Sequence, residues 1–176
     1  MRRYAWAWFL AFLLTGCSAL PLSLDLTQSL GDFRQGTRSI DLGGAQVQTL
    51  DVRVASDPIL VDPPEAPVRT VRGSIRGEYA IQTAPAQTGQ AMVEIYVSDD
   101  PRTVFSSDNL AGTLYLDVGA PATVEAPLTL SEAAVRGLNR GQIYAGFRVW
   151  VQLSGFVERA TVSWRITGFS LGVTIF

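Results

Sequence analysis

The stretch IYAGFRVWVQL, residues 143–153, alternates without a break. Ile143, Ala145, Phe147, Val149, Val151 and Leu153 share one parity, and Tyr144, Arg148, Trp150 and Gln152 share the other. Successive side chains of a strand point to opposite faces, so this pattern predicts a strand with one face in a core. The same period of two recurs at Leu20–Leu26, Leu50–Val54, Ile75–Ile81, Val93–Val97, Leu114–Val118 and Val124–Leu130. Near the end of the chain the parity changes. Val162, Trp164 and Ile166 are even, whereas Phe169, Leu171, Val173 and Ile175 are odd. A slip of one residue beside Gly168 is what a β-bulge or bend produces.

Turn signals separate the runs: Asp57-Pro58, Asp62-Pro63-Pro64, Thr88-Gly89, Asp99-Asp100-Pro101, Gly119-Ala120-Pro121 and Asn139-Arg140-Gly141. One segment, residues 131–138, reads as a helix of about two turns, with Ser131 as cap and Glu132 in its first turn. It is placed to cross from one sheet to the other. The chain is therefore read as all-β: an antiparallel β-sandwich of about 8–9 strands with one short helix, a small β-barrel being the alternative. A membrane barrel is disfavoured because the apolar positions 169–175 are out of phase with Phe176.

The first residues carry a different signal. Arg2 and Arg3 precede ten apolar residues, Ala5–Leu14, which reach only about half of a hydrocarbon core as a helix. Leu14-Thr15-Gly16-Cys17 then resembles the lipobox of bacterial lipoproteins. The resemblance covers residues 1–18. It implies cleavage between Gly16 and Cys17, a covalent lipid on the Cys17 thiol, and a membrane anchor on the extracytoplasmic side. Ser18 slightly favours the outer membrane under that family's sorting rule. The expected organisation is a signal peptide over 1–16, a lipidated Cys and short tether over 17–19, and one domain over 20–176.

Composition narrows the chemistry. The chain has 14 cationic residues, all Arg, and neither His nor Lys. Without residues 1–16 the balance is 12 Arg against 16 acidic residues, a formal charge of −4, which disfavours nucleic acid as a partner. The absence of His removes imidazole bases and His-ligated zinc. The absence of Lys removes Schiff-base chemistry, and the single Cys is assigned to lipid. A non-enzymatic protein with no cofactor beyond the covalent lipid is expected.

Two groups of carboxylates are candidate Ca²⁺ ligands: Asp57 and Asp62 in one loop, and Asp99, Asp100 and Asp108 in another. Turn-forming Asp residues are the plainer explanation. The second candidate is a surface row, Tyr144, Arg148 and Trp150, with Trp164 in the following strand. Aromatic rings interleaved with Arg can stack on sugars or dock a protein. The sequence thus points to a membrane-anchored binding or scaffolding module with an envelope protein partner. A module for a small ligand or glycan is the alternative, and oligomeric state is left open.

Overall fold

The computed structural model describes residues 21–46, 49–153 and 155–175. The lipobox, Gly16 and Cys17 lie outside them. The architecture is the expected sandwich, with ten strands in two antiparallel sheets. The larger sheet contains β1 (Pro21–Asp25), β2 (Gln35–Gln46), β5 (Val68–Ala84), β8 (Ala122–Thr129) and β10 (Phe156–Ile175). The smaller contains β3 (Thr49–Ala55), β4 (Ile59–Leu60), β6 (Gly89–Ser98), β7 (Leu110–Asp117) and β9 (Gln142–Leu153). Helix α1 (Glu132–Asn139) carries the chain from β8 in the larger sheet to β9 in the smaller.

β10 organises the larger sheet. From Arg159 to Ile175 it pairs with β5, while its other edge is shared by β2, against its first half, and β1, against its second. The parity change read from the sequence is a β-bulge: Ile166 pairs with Gly77 and Gly168 with Arg76, leaving Thr167 unmatched. Val162, Trp164, Ile166, Phe169, Leu171 and Val173 are consequently all buried. The bulge is sealed by the chain just after β1. The Thr27 hydroxyl accepts from the Phe169 amide at 2.8 Å and donates to Asp25 at 2.6 Å, and the Leu26 amide donates to the Phe169 carbonyl at 2.8 Å. The hydroxyl hydrogen bond holds the Asp25 carboxyl below its ordinary pKa.

Two aromatic contacts join the sheets at mid-core. Phe147 of β9 meets Trp164 of β10 edge to face at 4.8 Å, and Phe33 leans on Phe147 at 5.4 Å. Such pairs add about 0.5–1.5 kcal/mol each beyond the area they bury. The Trp164 indole donates to the Phe33 carbonyl at 2.9 Å. Its ring fills the space a Cβ on Gly36 would need, so β2 carries glycine opposite it. On one side of the sandwich β7 and β8 close on each other, with the Pro127 carbonyl 2.8 Å from where a Cβ on Gly112 would stand. On the other side the turn Gln28–Arg34 packs against β2, β4 and β10 and contributes buried Leu30 and Phe33.

Buried polar side chains fix the connections. The Ser131 hydroxyl caps α1 by accepting from the Ala134 amide, as expected, and donates to Asn109 Oδ1 at 3.1 Å. Asn109 Nδ2 in turn donates to Ser98 Oγ and to the Thr103 carbonyl. At the other end of the helix the Asn139 amide makes a two-way pair with the backbone of Val68.

β2 has no clear period of two in sequence, because its inward positions include Gly36 and exposed Arg38 beside half-buried Ile40 and Leu42. The loop read around Asp57 and Asp62 contains the two-residue β4. We expect Thr27→Val, which keeps the shape but orphans the Phe169 amide, to cost about 1–3 kcal/mol, seen as a fall of several degrees in Tm.

Candidate functional site

The outer face of the smaller sheet carries the row read from the sequence, and neighbouring strands complete it. In register, Asp51 of β3 lies beside Trp150 of β9, Trp150 beside Met92 of β6, and Met92 beside Tyr115 of β7. With strands about 4.8 Å apart, Trp150 and Tyr115 stand about 10 Å from each other across the sheet. Tyr115 is 77% exposed, and Met92 and Trp150 are half-buried. The next row holds Arg53, Arg148, Glu94 and Thr113.

These two rows are cross-linked. The Arg148 guanidinium grips Asp51 with two parallel hydrogen bonds of 2.8 and 2.7 Å and lies 3.7 Å over the Trp150 ring. A paired fork of this kind is geometrically specific and stronger than a neutral hydrogen bond. The Trp150 indole donates to Glu94 Oε2 at 2.8 Å, and the Tyr96 hydroxyl donates to the same oxygen at 2.9 Å. Arg53 adds a 3.1 Å contact to Asp51. The Asp51 carboxyl is held below its usual range, chiefly by the Arg148 hydrogen bond, and the Arg148 guanidinium is raised by the same bond. Burial, then the hydrogen bond to Glu94, pushes the Tyr96 phenol up.

Tyr144 and Trp164 do not join this group. Six residues from Trp150, Tyr144 accepts its own hydrogen bond from Gln142 Nε2 at 2.6 Å. Between them, the Phe105 ring lies over Gly146, 3.0 Å from where a Cβ would stand, and meets Tyr96 edge-on at 5.5 Å. Trp164 belongs to the other sheet and faces inward, 7% exposed, because β9 and β10 pair with different strands rather than with each other. Its even parity, shared with Val162 and Ile166, already placed it on the core face.

The acidic loops also fail to converge. Among the described residues no group of three His, Cys, Asp or Glu is placed to hold a metal ion. Asp99 is engaged by Arg136 at 3.3 Å and Arg140 at 3.6 Å, and Asp100 accepts from the Arg102 amide in a turn. Asp57 and Asp62 flank β4, in a separate connection of the chain from Asp99, Asp100 and Asp108. An open groove of about 510 Å³ lies on the larger sheet, lined by polar and apolar residues including Gln35, Glu78, Pro121, Trp164 and Arg165. It does not include Trp150. The partners missed by sequence reading were Asp51, Met92, Glu94 and Tyr115. Each lies on the polar parity of its own strand, but the register that assembles them is not written in any one strand.

No protein-family model and no curated protein matches the chain. Solved structures show distant resemblance. One is described as "CBM4 structure and function", at 14% identity, covering 79% of this chain and 83% of that one, with a TM-score of 0.34. Another is the xylan-binding module CBM15, at 10% identity, covering 87% and 97%, with a TM-score of 0.39. A structure of infectious bursal disease virus, Gx strain, matches at 16% identity over 90% of this chain and 32% of that chain, with a TM-score of 0.35. Likenesses this distant carry no argument about function. The fold rests on the chain's own strand pairing.

The two aromatic ends of the stripe respond differently to truncation. Trp150→Ala removes the ring under Arg148 and orphans part of Glu94, and should cost about 2 kcal/mol or more by thermal or denaturant unfolding. Tyr115→Ala should change stability by no more than about 0.5 kcal/mol. Because the folded state lowers the Asp51 pKa, its contribution to stability is complete above the ordinary value of 3.8 and disappears as pH falls through the depressed value. Asp51→Asn should therefore be less stable at neutral pH and lose less stability below about pH 4, as measured by denaturant melts across pH.

Proposed function

We propose that this protein is a non-catalytic binding module of the bacterial cell envelope, tethered through a lipid on Cys17 and contacting an envelope protein with the outer face of its smaller sheet. The observation that carries the reading is the Tyr115–Met92–Trp150 stripe. It crosses three strands, exposes a large aromatic ring at one end, and is braced at the other by the Arg148–Asp51 fork and the Glu94 bonds. A braced, shallow surface with an aromatic anchor suits docking to another surface, since little ordering entropy remains to be lost.

The tether contributes effective concentration. One buried acyl chain holds only marginally, whereas two or three hold stably, so a lipidated Cys17 anchors the domain without a transmembrane segment. No helix among the described residues is long and apolar enough to cross a membrane. β1 starts at Pro21, four residues after Cys17, which keeps the domain within about 14 Å of its anchor point. Under the lipoprotein sorting rule Ser18 slightly favours the outer membrane.

A glycan ligand at the same stripe is the second reading. Tyr115 and Trp150 lie two strands apart on one face, with the Arg148 guanidinium over the Trp150 ring, and Gln90, Gln152 and Asp117 lie in the adjacent cross-strand row as hydrogen-bonding groups.

Cys17→Ser should move the protein from the membrane to the soluble fraction; continued retention would overturn the tether. Tyr115→Ala, with an unchanged melting temperature, should lose the envelope protein that the unaltered chain captures after cross-linking. Retention of purified cell-wall glycan by the unaltered chain, abolished by Tyr115→Ala, would favour the second reading. Equal capture by both chains would remove the stripe as the contact.

A further inference from the structure

We infer that two copies of this chain pair edge to edge through β3, joining their smaller sheets into one continuous sheet of eight principal strands. β3 is bonded to β9 along one side and is the terminal strand of its sheet. A terminal strand directs half of its backbone N–H and C=O groups away from its neighbour. Edge strands are commonly blunted by proline, by a bulge, by brevity or by charge. β3 has no proline or bulge: its seven residues, TLDVRVA, are regular, their register against β9 is unbroken, burial alternates strictly along them, and its two charges are of opposite sign.

Its charges identify the occupant. Asp51 and Arg53 point outward on either side of Val52, and Leu50, Val52 and Val54 point inward. In an antiparallel pairing centred on Val52, Asp51 stands opposite Arg53 of the second copy, and Arg53 opposite its Asp51. Leu50 then meets Val54, and Val52 meets Val52 on the two-fold axis. Both charge pairs are complementary and every inward residue meets another, with Thr49 opposite Ala55 at the ends, as a closed two-fold interface requires. β2, the longer edge of the other sheet, has no such palindrome: a pairing centred on Arg38 sets like charges opposite each other, and the strand carries Gly43 and Gly44 at φ +63° and +74°. Edge pairing through β3 would put both Tyr115–Met92–Trp150 stripes on the same face of the joined sheet. The pairing stands whether or not Cys17 carries lipid.

The test uses the full chain in detergent on a Cys17→Ser background, so that any introduced thiol is the only one. Paired Cα atoms across an antiparallel ladder are about 4.5–5.5 Å apart, within disulfide range. Val52→Cys should give a disulfide-linked dimer under mild oxidation. Leu50→Cys should not, because that residue lies about 13 Å from its own copy in this register. Arg53→Asp converts both charge pairs to acid–acid pairs and should weaken self-association about tenfold or more by sedimentation. Arg53 is exposed, so that arm stands even if a core thiol weakens the fold. The inference is overturned if the unaltered chain is monomeric at about 100 µM. It is equally overturned if a dimer persists with Val52→Cys uncrosslinked, if Leu50→Cys crosslinks equally, or if Arg53→Asp leaves association unchanged.

Discussion

A strand of twenty residues keeps one face in a core only if its phase can be corrected part-way along. β10 meets that constraint with the unmatched Thr167, and the rest of the larger sheet depends on it. Without the slip, either Val162, Trp164 and Ile166 or Phe169, Leu171 and Val173 would face water. On the other edge of β10 the β2 ladder ends at Arg165 and the β1 ladder begins at Ser170, and Thr27, Leu26 and Arg34 reach into that gap to bond the backbone of Ile166 and Phe169. The short β1 is thereby fixed, because the residues that follow it are bonded to the bulge. β2 takes up the other half of the same edge, and Trp164 sits where β2, β10 and the opposite sheet meet.

The smaller sheet is supported differently. Its inner face is carried by the unbroken alternation of β9, and its outer face by charge. Asp51, Arg148, Trp150, Glu94 and Tyr96 form a chain of contacts across three strands in which each polar group has a partner. Exposed ion pairs contribute little individually, yet a linked set holds its side chains in place. That distinguishes it from the larger sheet, whose outer face holds dispersed pairs such as Arg76–Glu125 and Arg159–Asp41.

Fold legibility followed burial. β9 and the bulge beside Gly168 could be read because their inward positions are nearly all large and apolar. β2 could not, because it borrows its burial from Trp164 and needs glycine at position 36. The short helix was legible because its cap is local: Ser131 and Glu132 suffice. The site was legible only along one strand. Arg148 and Trp150 share a parity and are neighbours in the structure, but Asp51, Met92, Glu94 and Tyr115 arrive through cross-strand register, which depends on turns and core packing elsewhere. Trp164 shows the opposite error. Parity with Val162 and Ile166 put it inside, while nearness in sequence suggested a hairpin that the crossing between sheets does not make.

Asn109 has a consequence for how the molecule opens. Its amide ties Ser98 at the end of β6, the Thr103 carbonyl in the following loop, and Ser131 at the start of α1. Asn139 binds the far end of that helix to the first residue of β5. Segments from both sheets are therefore latched at the helix by two asparagine side chains, one at each end. Neither segment can leave the helix without stripping an asparagine side chain of its partner. The loop, the helix and the first residues of β5 should accordingly exchange their amide hydrogens as one unit, slowly for a surface loop, while the uncovered strand edges across the sandwich exchange first.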